Sequence, residues 1–379
     1  MQYRQLGNTG LKVSALGFGA MRLPMVRIGG EEHVDLDRAV DCMRYAFEKG
    51  INYVDCGFLY CAHESEIAVG RALRGWRERI ILSTKATKFR MKHPGDLRCM
   101  LEHQLQNMEL EYLDSYCFHG IGWENFHEID RKTNWAKDML RARDEGLVLR
   151  IGFSFHDEPE SMKKLVDLGL FEMVTCQYNY LDTKNEEAMA YAASKGLGVV
   201  VMGPVGGGRL VDVPRPIAER LCISVRYPAE LALRFVLSNP SVQVALSGMN
   251  SRQMVDENVA VASSGAAFSE AERERLRQLG AELVKLSNLY CTGCGYCLPC
   301  PHGVNIPRRF HLMNLHRVFG FTERARIEYT RLREDESESE GGGVCKECRQ
   351  CEAKCPQKVP IIEQLKETEQ VLSVHRASG

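Results

Sequence analysis

The sequence predicts an α/β protein in two parts. An eight-stranded parallel (β/α)8 barrel of the TIM type occupies residues 1–285, and a smaller, mainly α-helical domain occupies residues 286–379. Two observations carry this reading. Eight short apolar runs alternate with helical stretches through the first three quarters of the chain. Two cysteine knots, "CTGCGYCLPCPHG" (291–303) and "CKECRQCEAKCPQ" (345–357), then follow with nothing like them upstream.

The strands are expected at 14–21, 52–58, 80–86, 114–120, 149–155, 172–179, 198–204 and 242–249. Each run is apolar on both faces, as parallel strands covered by helices must be. Helices such as 35–50 and 185–196 end at Gly50 and Gly196, which suit a left-handed position just past the last turn. Ahead of the first strand, "YRQLGNTGLKV" reads as a hairpin turning at Asn8-Thr9-Gly10 and closing the barrel floor. Trp123, Phe126 and Trp135 would either line an aromatic pocket or pack on the barrel rim, and rim packing is the expectation. After the last strand, Ser269 and Glu272 make a capping box, and Leu276, Leu279, Leu283 and Leu286 share one helical face. Between the knots, Phe310, Met313, Leu315 and Phe319 recur at helical spacing, and "REDESESEGGG" (333–343) is expected to be a mobile loop.

Composition narrows the function classes. The chain has 379 residues, 44% hydrophobic and 26% charged, with a net charge of −1. That balance gives no electrostatic ground for binding nucleic acid. No apolar run would span a bilayer, and the N-terminus lacks the apolar core of a signal peptide, so no membrane partner and a cytoplasmic location are expected. A reducing compartment disfavours disulfides, so the 15 cysteines need another account. Cys42, Cys56, Cys61, Cys99, Cys117, Cys176 and Cys222 are read as small buried hydrophobes.

The other eight cysteines lie in the knots. A C-x2-C-x2-C loop wraps three thiolates around one cubane cluster, and a fourth cysteine, often followed by proline, commonly serves the neighbouring cluster. That arrangement predicts two [4Fe–4S] clusters. Cys291, Cys294, Cys297 and Cys355 would hold one, and Cys345, Cys348, Cys351 and Cys300 the other. The first knot departs from the pattern, with two residues rather than three before Cys300. Zinc would call for paired C-x2-C elements and leave the Cys-Pro steps without a role. With its long helical spacer, this region resembles α-helical ferredoxin domains.

In the barrel, active-site groups belong at the C-terminal strand ends. Those ends carry Asp55, Tyr60 in the following loop, Lys85 and His119. A tyrosine can protonate a carbonyl oxygen if a nearby lysine brings its pKa toward neutrality. A carboxylate can hold that lysine, and a histidine can add a hydrogen bond to the oxygen where charge develops. The segment "VDCGFLYCAHESEIAVGRAL" resembles the "D-T-A-x-x-Y…E…G-x-A-L" stretch of the aldo-keto reductases. "ILSTKA", "LDSYCFHG", "GLVLRIGFSFHD", "QYNYLD" and "SGMNSRQMVDEN" follow in that family's order, so the resemblance covers residues 1–265. The cysteine-rich tail is similar to that of the subset bearing a C-terminal ferredoxin domain.

The resemblance implies the catalytic set Asp55, Tyr60, Lys85 and His119, with NADPH or NADH as cofactor. It places Ser154 at the nicotinamide carboxamide, with Phe155 and Thr175 where the family has asparagine and glutamine. Gly248 and Met254 stand where many relatives grip a 2′-phosphate, with Arg252 as a substitute, and Glu257 and Asn258 stand at the adenine. Gly206 and Gly207 of "GPVGGGRL" would offer backbone N–H groups to a pyrophosphate. Because a hydride carries two electrons and a cluster accepts one, a flavin is a further expected cofactor, its phosphate held by this loop and Arg209. The function expected is an oxidoreductase reducing a small-molecule carbonyl or activated double bond, coupled to two clusters. The competing readings are an inactive barrel that docks a redox protein partner, and clusters that serve structure alone.

Overall fold

A computed structural model describes residues 1–208, 210–211, 226–265, 267–287, 291, 293–317, 321–338 and 341–373, with 282–287 as backbone only. Arg209, Cys222 and Phe319, and the side chains of Leu283 and Leu286, therefore lie outside the described residues. The chain divides into two compact units between Glu274 and Arg275.

In the first unit, β1 (Tyr3–Gln5) and β2 (Lys12–Ser14) form the antiparallel N-terminal hairpin. Leu6 and Val13 pack against Tyr53, Met173, Val200, Val244 and Leu246 at the start of the barrel strands. This closeness requires glycine at position 7, where φ is +49° and a Cβ would lie 2.4 Å from the Gly196 carbonyl oxygen. The barrel opens with β3 (Leu16–Gly19). A second hairpin, β4 (Met25–Ile28) and β5 (Glu31–Val34), then precedes α1 (Leu36–Glu48). The sequence reading did not anticipate it, although Gly29-Gly30 is a turn signal.

The remaining barrel strands are β6 (Tyr53–Asp55), β7 (Ile81–Thr87), β8 (Ser115–Ile121), β9 (Ile151–Phe155), β10 (Met173–Gln177), β11 (Gly198–Met202) and β12 (Val244–Ser247). Together with β3 they close in chain order, every pair parallel. The expected eight-stranded barrel is therefore the one observed. Its outer helices are α1, α2 (Ser65–Leu73), α3 (Asp96–Met108), α4 (Trp123–Thr133), α5 (Trp135–Asp144), α6 (Pro159–Asp167), α7 (Glu186–Ser194), α8 (Glu230–Leu237) and α9 (Arg252–Ser263). Asp35 caps α1 by accepting the Arg38 N–H at 3.2 Å, and Gly50 takes φ +93° just past its end. Phe126 and Trp135 are buried with Phe118, Phe153 and Phe171 in one edge-to-face aromatic cluster, so they pack rather than line a pocket. Cys42, Cys56, Cys117 and Cys176 are buried as expected, whereas Cys61 is half-buried and Cys99 is exposed on α3.

Helix α10 (Glu270–Ser287) opens with the expected box: the Glu272 carboxylate accepts the Ser269 N–H at 2.8 Å and the Ser269 hydroxyl accepts the Glu272 N–H at 3.3 Å. The second unit is helical, with α11 (Ile306–Arg317), α12 (Thr322–Ser337), α13 (Gln350–Lys354) and α14 (Ile361–Leu372). The expected mobile loop at 333–343 is corrected in its first half, since α12 runs through Ser337. The cause is a buried ion pair. Arg309 donates to Glu336 at 2.5 Å and to the Gly343 carbonyl at 2.7 Å, and Glu336 also accepts the Asn305 N–H at 2.6 Å. Neither side chain is more than 5% exposed, so releasing either would strand a buried charge. Among the described residues, no helix is long and apolar enough to cross a membrane.

Candidate active site and cluster cavities

Parallel strands bring their C-terminal ends to one face of the barrel. Asp55 ends β6, Lys85 lies on β7 opposite Cys117 of β8, and His119 lies on β8 opposite Thr87. Tyr60 starts a one-turn 3₁₀ helix, Cys61–His63, between β6 and α2. The structure brings all four together, none more than 8% exposed. Lys85 Nζ donates to Asp55 Oδ1 at 2.5 Å and to the Cys56 carbonyl at 2.7 Å. It lies 4.9 Å from the centre of the Tyr60 ring, and that ring meets His119 edge-on at 6.0 Å.

Burial and charge compete at each group. Burial would push the Lys85 pKa down, but the Asp55 carboxylate, by its charge and its hydrogen bond, more than reverses it and holds Lys85 as an ammonium. Burial raises the Asp55 carboxyl, opposed by Lys85. Burial also pushes the Tyr60 phenol up to about 12, with Lys85 offsetting only part of the rise. Lys85 pulls the phenol down in the expected direction, but burial outweighs that pull. His119 is held well below its ordinary value by burial and then by Lys85, His156 and Lys88, so its imidazole is neutral near pH 7.

The Tyr60 loop is strained. Cys61, Ala62 and His63 all take positive φ, at 49°, 54° and 70°. It is pinned from several directions. Ser65 donates to the Ala20 carbonyl at 2.8 Å, His63 Nδ1 pairs with the Phe58 carbonyl at 2.8 Å, and Glu64 bonds His33 and the Val34 N–H of the β4–β5 hairpin at 2.7 and 2.6 Å. Sequence reasoning missed this clamp, along with a buried polar network behind Lys85. There Glu66 accepts from Thr84 at 2.6 Å and from Gln104, while Gln104 accepts the Tyr116 hydroxyl at 2.5 Å and donates to the Lys85 carbonyl at 3.2 Å. Glu66 sits inside the quoted family segment, so its position was the available signal. His156, next to the candidate strand end and pushed down to about 4 by burial and then by Lys88, Lys184 and Lys85, was also missed.

The candidate nucleotide positions lie at C-terminal strand ends and just beyond. Ser154 on β9 accepts the Gly120 N–H at 2.8 Å. Gly206 and Gly207 form part of a tight turn after β11, both at positive φ. Gly248 follows β12, and Asn258 on α9 donates back to the Ser247 hydroxyl at 3.0 Å. Glu257 accepts from Gln253 at 2.8 Å. Arg252 is paired with Asp41, donating to it from Nε at 2.9 Å, so gripping a phosphate would mean exchanging that carboxylate.

In the second unit the cysteines line two cavities. One is lined by Cys291, Cys294, Cys297 and Cys355. The other is lined by Cys300, Cys345, Cys348 and Cys351, with Cys297 reaching both. Among the described residues no three metal-ligating side chains converge on a single point; the thiols line cavities instead. With Cys297 counted in the first, each cavity has four soft sulfur donors of its own, the set an iron–sulfur cluster takes. Cys291 Sγ also accepts the Gly293 N–H at 3.4 Å, a contact of the kind that tunes cluster potential. Val304, Ile306, Phe310, Val359, Ile361 and Leu365 form the apolar core beside these thiols.

A closed parallel barrel with a buried lysine–carboxylate pair beside a tyrosine, in a chain that also lines two cavities with thiols, has the make-up of an oxidoreductase with room for iron–sulfur centres. Residues 15–281 match the Aldo/keto reductase family and residues 290–360 match a 4Fe-4S dicluster domain. The chain belongs to the aldo/keto reductase family and carries a C-terminal 4Fe-4S domain. It is 28% identical over 312 residues to L-galactose dehydrogenase of Arabidopsis thaliana, covering 76% of this chain and 96% of the relative. An aldo-keto reductase of Bacillus halodurans, solved in its holo form, superposes with a TM-score of 0.63 at 28% identity over 74% of this chain and 96% of that one. A Klebsiella pneumoniae aldo/keto reductase solved with NADP and acetate shares the fold at 22% identity, with a TM-score of 0.59 over 72% of this chain and 93% of that one. The flavin expectation finds no support in these matches.

Proposed function

We propose that the barrel of this oxidoreductase, taken as residues 1–285, reduces the carbonyl group of a small molecule using NADPH or NADH. The single observation that carries the reading is the buried Asp55–Lys85 pair beneath Tyr60 and beside His119. A bound reduced nicotinamide would supply the hydride. Tyr60 gives its proton to the carbonyl oxygen as negative charge develops there. The alkoxide so avoided is far more basic than a phenolate, so a phenol pushed up to about 12 still transfers its proton downhill and need not be tuned to neutrality. Lys85, held charged by Asp55, stabilises the phenolate left behind, and neutral His119 donates a hydrogen bond to the same oxygen. Ser154 is the candidate for the carboxamide, Gly206 and Gly207 for the pyrophosphate, and Gly248, Arg252, Glu257 and Asn258 for the adenosine end.

The test is Tyr60→Phe, with NADPH oxidation followed against an aromatic aldehyde. Loss of a positioned general acid should cost about 10²–10⁴-fold in kcat. Undiminished turnover would remove Tyr60 from the chemistry.

For residues 286–379 we infer two [4Fe–4S] clusters, one held by Cys291, Cys294, Cys297 and Cys355 and the other by Cys345, Cys348, Cys351 and Cys300. The grouping of the thiols around two cavities supports this, and Cys297 lining both supports adjacent clusters exchanging single electrons.

A further inference from the structure

The two cavities share Cys297 and Ile306 but differ in charge. The one shared by Cys291, Cys294 and Cys355 is otherwise lined by uncharged groups, among them Tyr296, Phe310 and Ile361. The one shared by Cys300, Cys345, Cys348 and Cys351 is lined also by Lys346, Arg349 and Lys354, with no carboxylate. Its Cys348 is exposed, and Leu298 and Val344, beside its rim in sequence, are 39% and 44% exposed. Of the nearby carboxylates, Glu347 is paired with Lys366 at 2.8 Å, while Glu352, which accepts the Ile362 N–H at 3.1 Å, offsets part of the three cations, leaving the rim net positive. Lys346, Arg349 and Lys354 are all exposed.

Resting on the cluster reading above, we propose that the cavity ringed by Cys300, Cys345, Cys348 and Cys351 is the electron port, where a small one-electron carrier protein with an acidic face docks. Electron transfer between proteins falls steeply with distance, so the partner must approach the cluster whose ligand reaches the surface. Exposed cations and exposed apolar groups together provide steering and contact area for a partner of opposite sign. In the encounter the carrier loses one electron and the cluster gains it; no bond forms or breaks and no proton has to move. Exposure and neighbouring cations also favour the reduced, more negative cluster, which suits this centre to receive electrons first.

The experiment uses the anaerobic holoprotein, with reduced plant-type [2Fe–2S] ferredoxin as the acidic probe and stopped-flow absorbance as readout. A triple variant, Lys346→Gln, Arg349→Gln and Lys354→Gln, is compared with wild type, and Arg331→Gln, on α12 and lining neither cavity, is the control. At low salt the triple variant should react roughly tenfold or more slowly. Wild type should slow as salt rises while the variant changes little. Photoreduced deazaflavin, an uncharged donor, should bleach both proteins equally, and the single variants Lys346→Gln and Lys354→Gln should each show part of the loss. Equal rates and equal salt dependence in wild type and triple variant would overturn the port, as would the same loss in Arg331→Gln. Failure of deazaflavin to bleach the wild-type holoprotein would instead bring down the cluster reading, and the port with it.

Discussion

Lys85→Met is the sharpest perturbation of the barrel, because it removes one half of an ion pair that water barely reaches. Asp55 is 4% exposed and Lys85 1%, and their contact is 2.5 Å. Breaking such a pair from one side leaves an uncompensated charge and costs about 3–5 kcal/mol, whereas removing both partners costs much less. The pairwise term therefore belongs in a cycle of Lys85→Met, Asp55→Asn and the double variant. Trp76, Trp123 and Trp135 are the only tryptophans of the chain and all precede residue 136, so urea unfolding followed by tryptophan fluorescence reports the barrel. The cost should depend on pH with a definite sign. Burial raises Asp55, and in the variant nothing from Lys85 opposes that rise. A carboxyl raised in the folded state favours folding below its unfolded value of about 3.9 and loses that contribution as pH climbs through the folded value. Lys85→Met should thus be most destabilising at neutral pH and recover toward acid. A loss under about 1 kcal/mol at pH 7, or a double variant no better than the single, would refute the reasoning.

Two further outcomes follow from the site and the cavities. Because His119 is held well below its ordinary range and Tyr60 is pushed up to about 12, carbonyl reduction should stay level between about pH 6 and 9; a decline with an apparent pKa near 6.5 would mean that His119 charges there and cannot act as assigned. Cys355→Ser and Cys294→Ser should leave the same residual cluster spectrum by electron paramagnetic resonance, and Cys300→Ser should match Cys348→Ser. Cys355→Ser resembling Cys348→Ser would break the crossed ligand sets.

Much of the architecture was legible because its causes are local. Strands buried on both faces announce themselves as short apolar runs, and β7 and β8 stand where "IILSTKA" and "DSYCFHG" placed them. The Ser269–Glu272 box spans three residues and closed as expected. The catalytic candidates were found because parallel strand ends must share one face. Thiol spacing likewise implied two groups of four, and even Cys300, with its irregular spacing, lines the cavity shared with Cys345, Cys348 and Cys351.

What the chain could not disclose locally was set by distant partners. The acidic run after residue 332 looks solvated, yet Glu336 is buried because Arg309, 27 residues away, meets it there. The β4–β5 hairpin is exposed and lacks the apolar signature of a core strand, but it reaches the strained Tyr60 loop through His33 and Glu64. The sequence by itself made the barrel strands and the two groups of cysteines legible, since periodicity and spacing act over a few residues, and the family resemblance named the candidate tetrad. Only the tertiary structure decided the electrostatic state of Tyr60 and the contrast between the two cavities. Desolvation and charge are sums over everything packed nearby, and no short stretch of chain contains that sum.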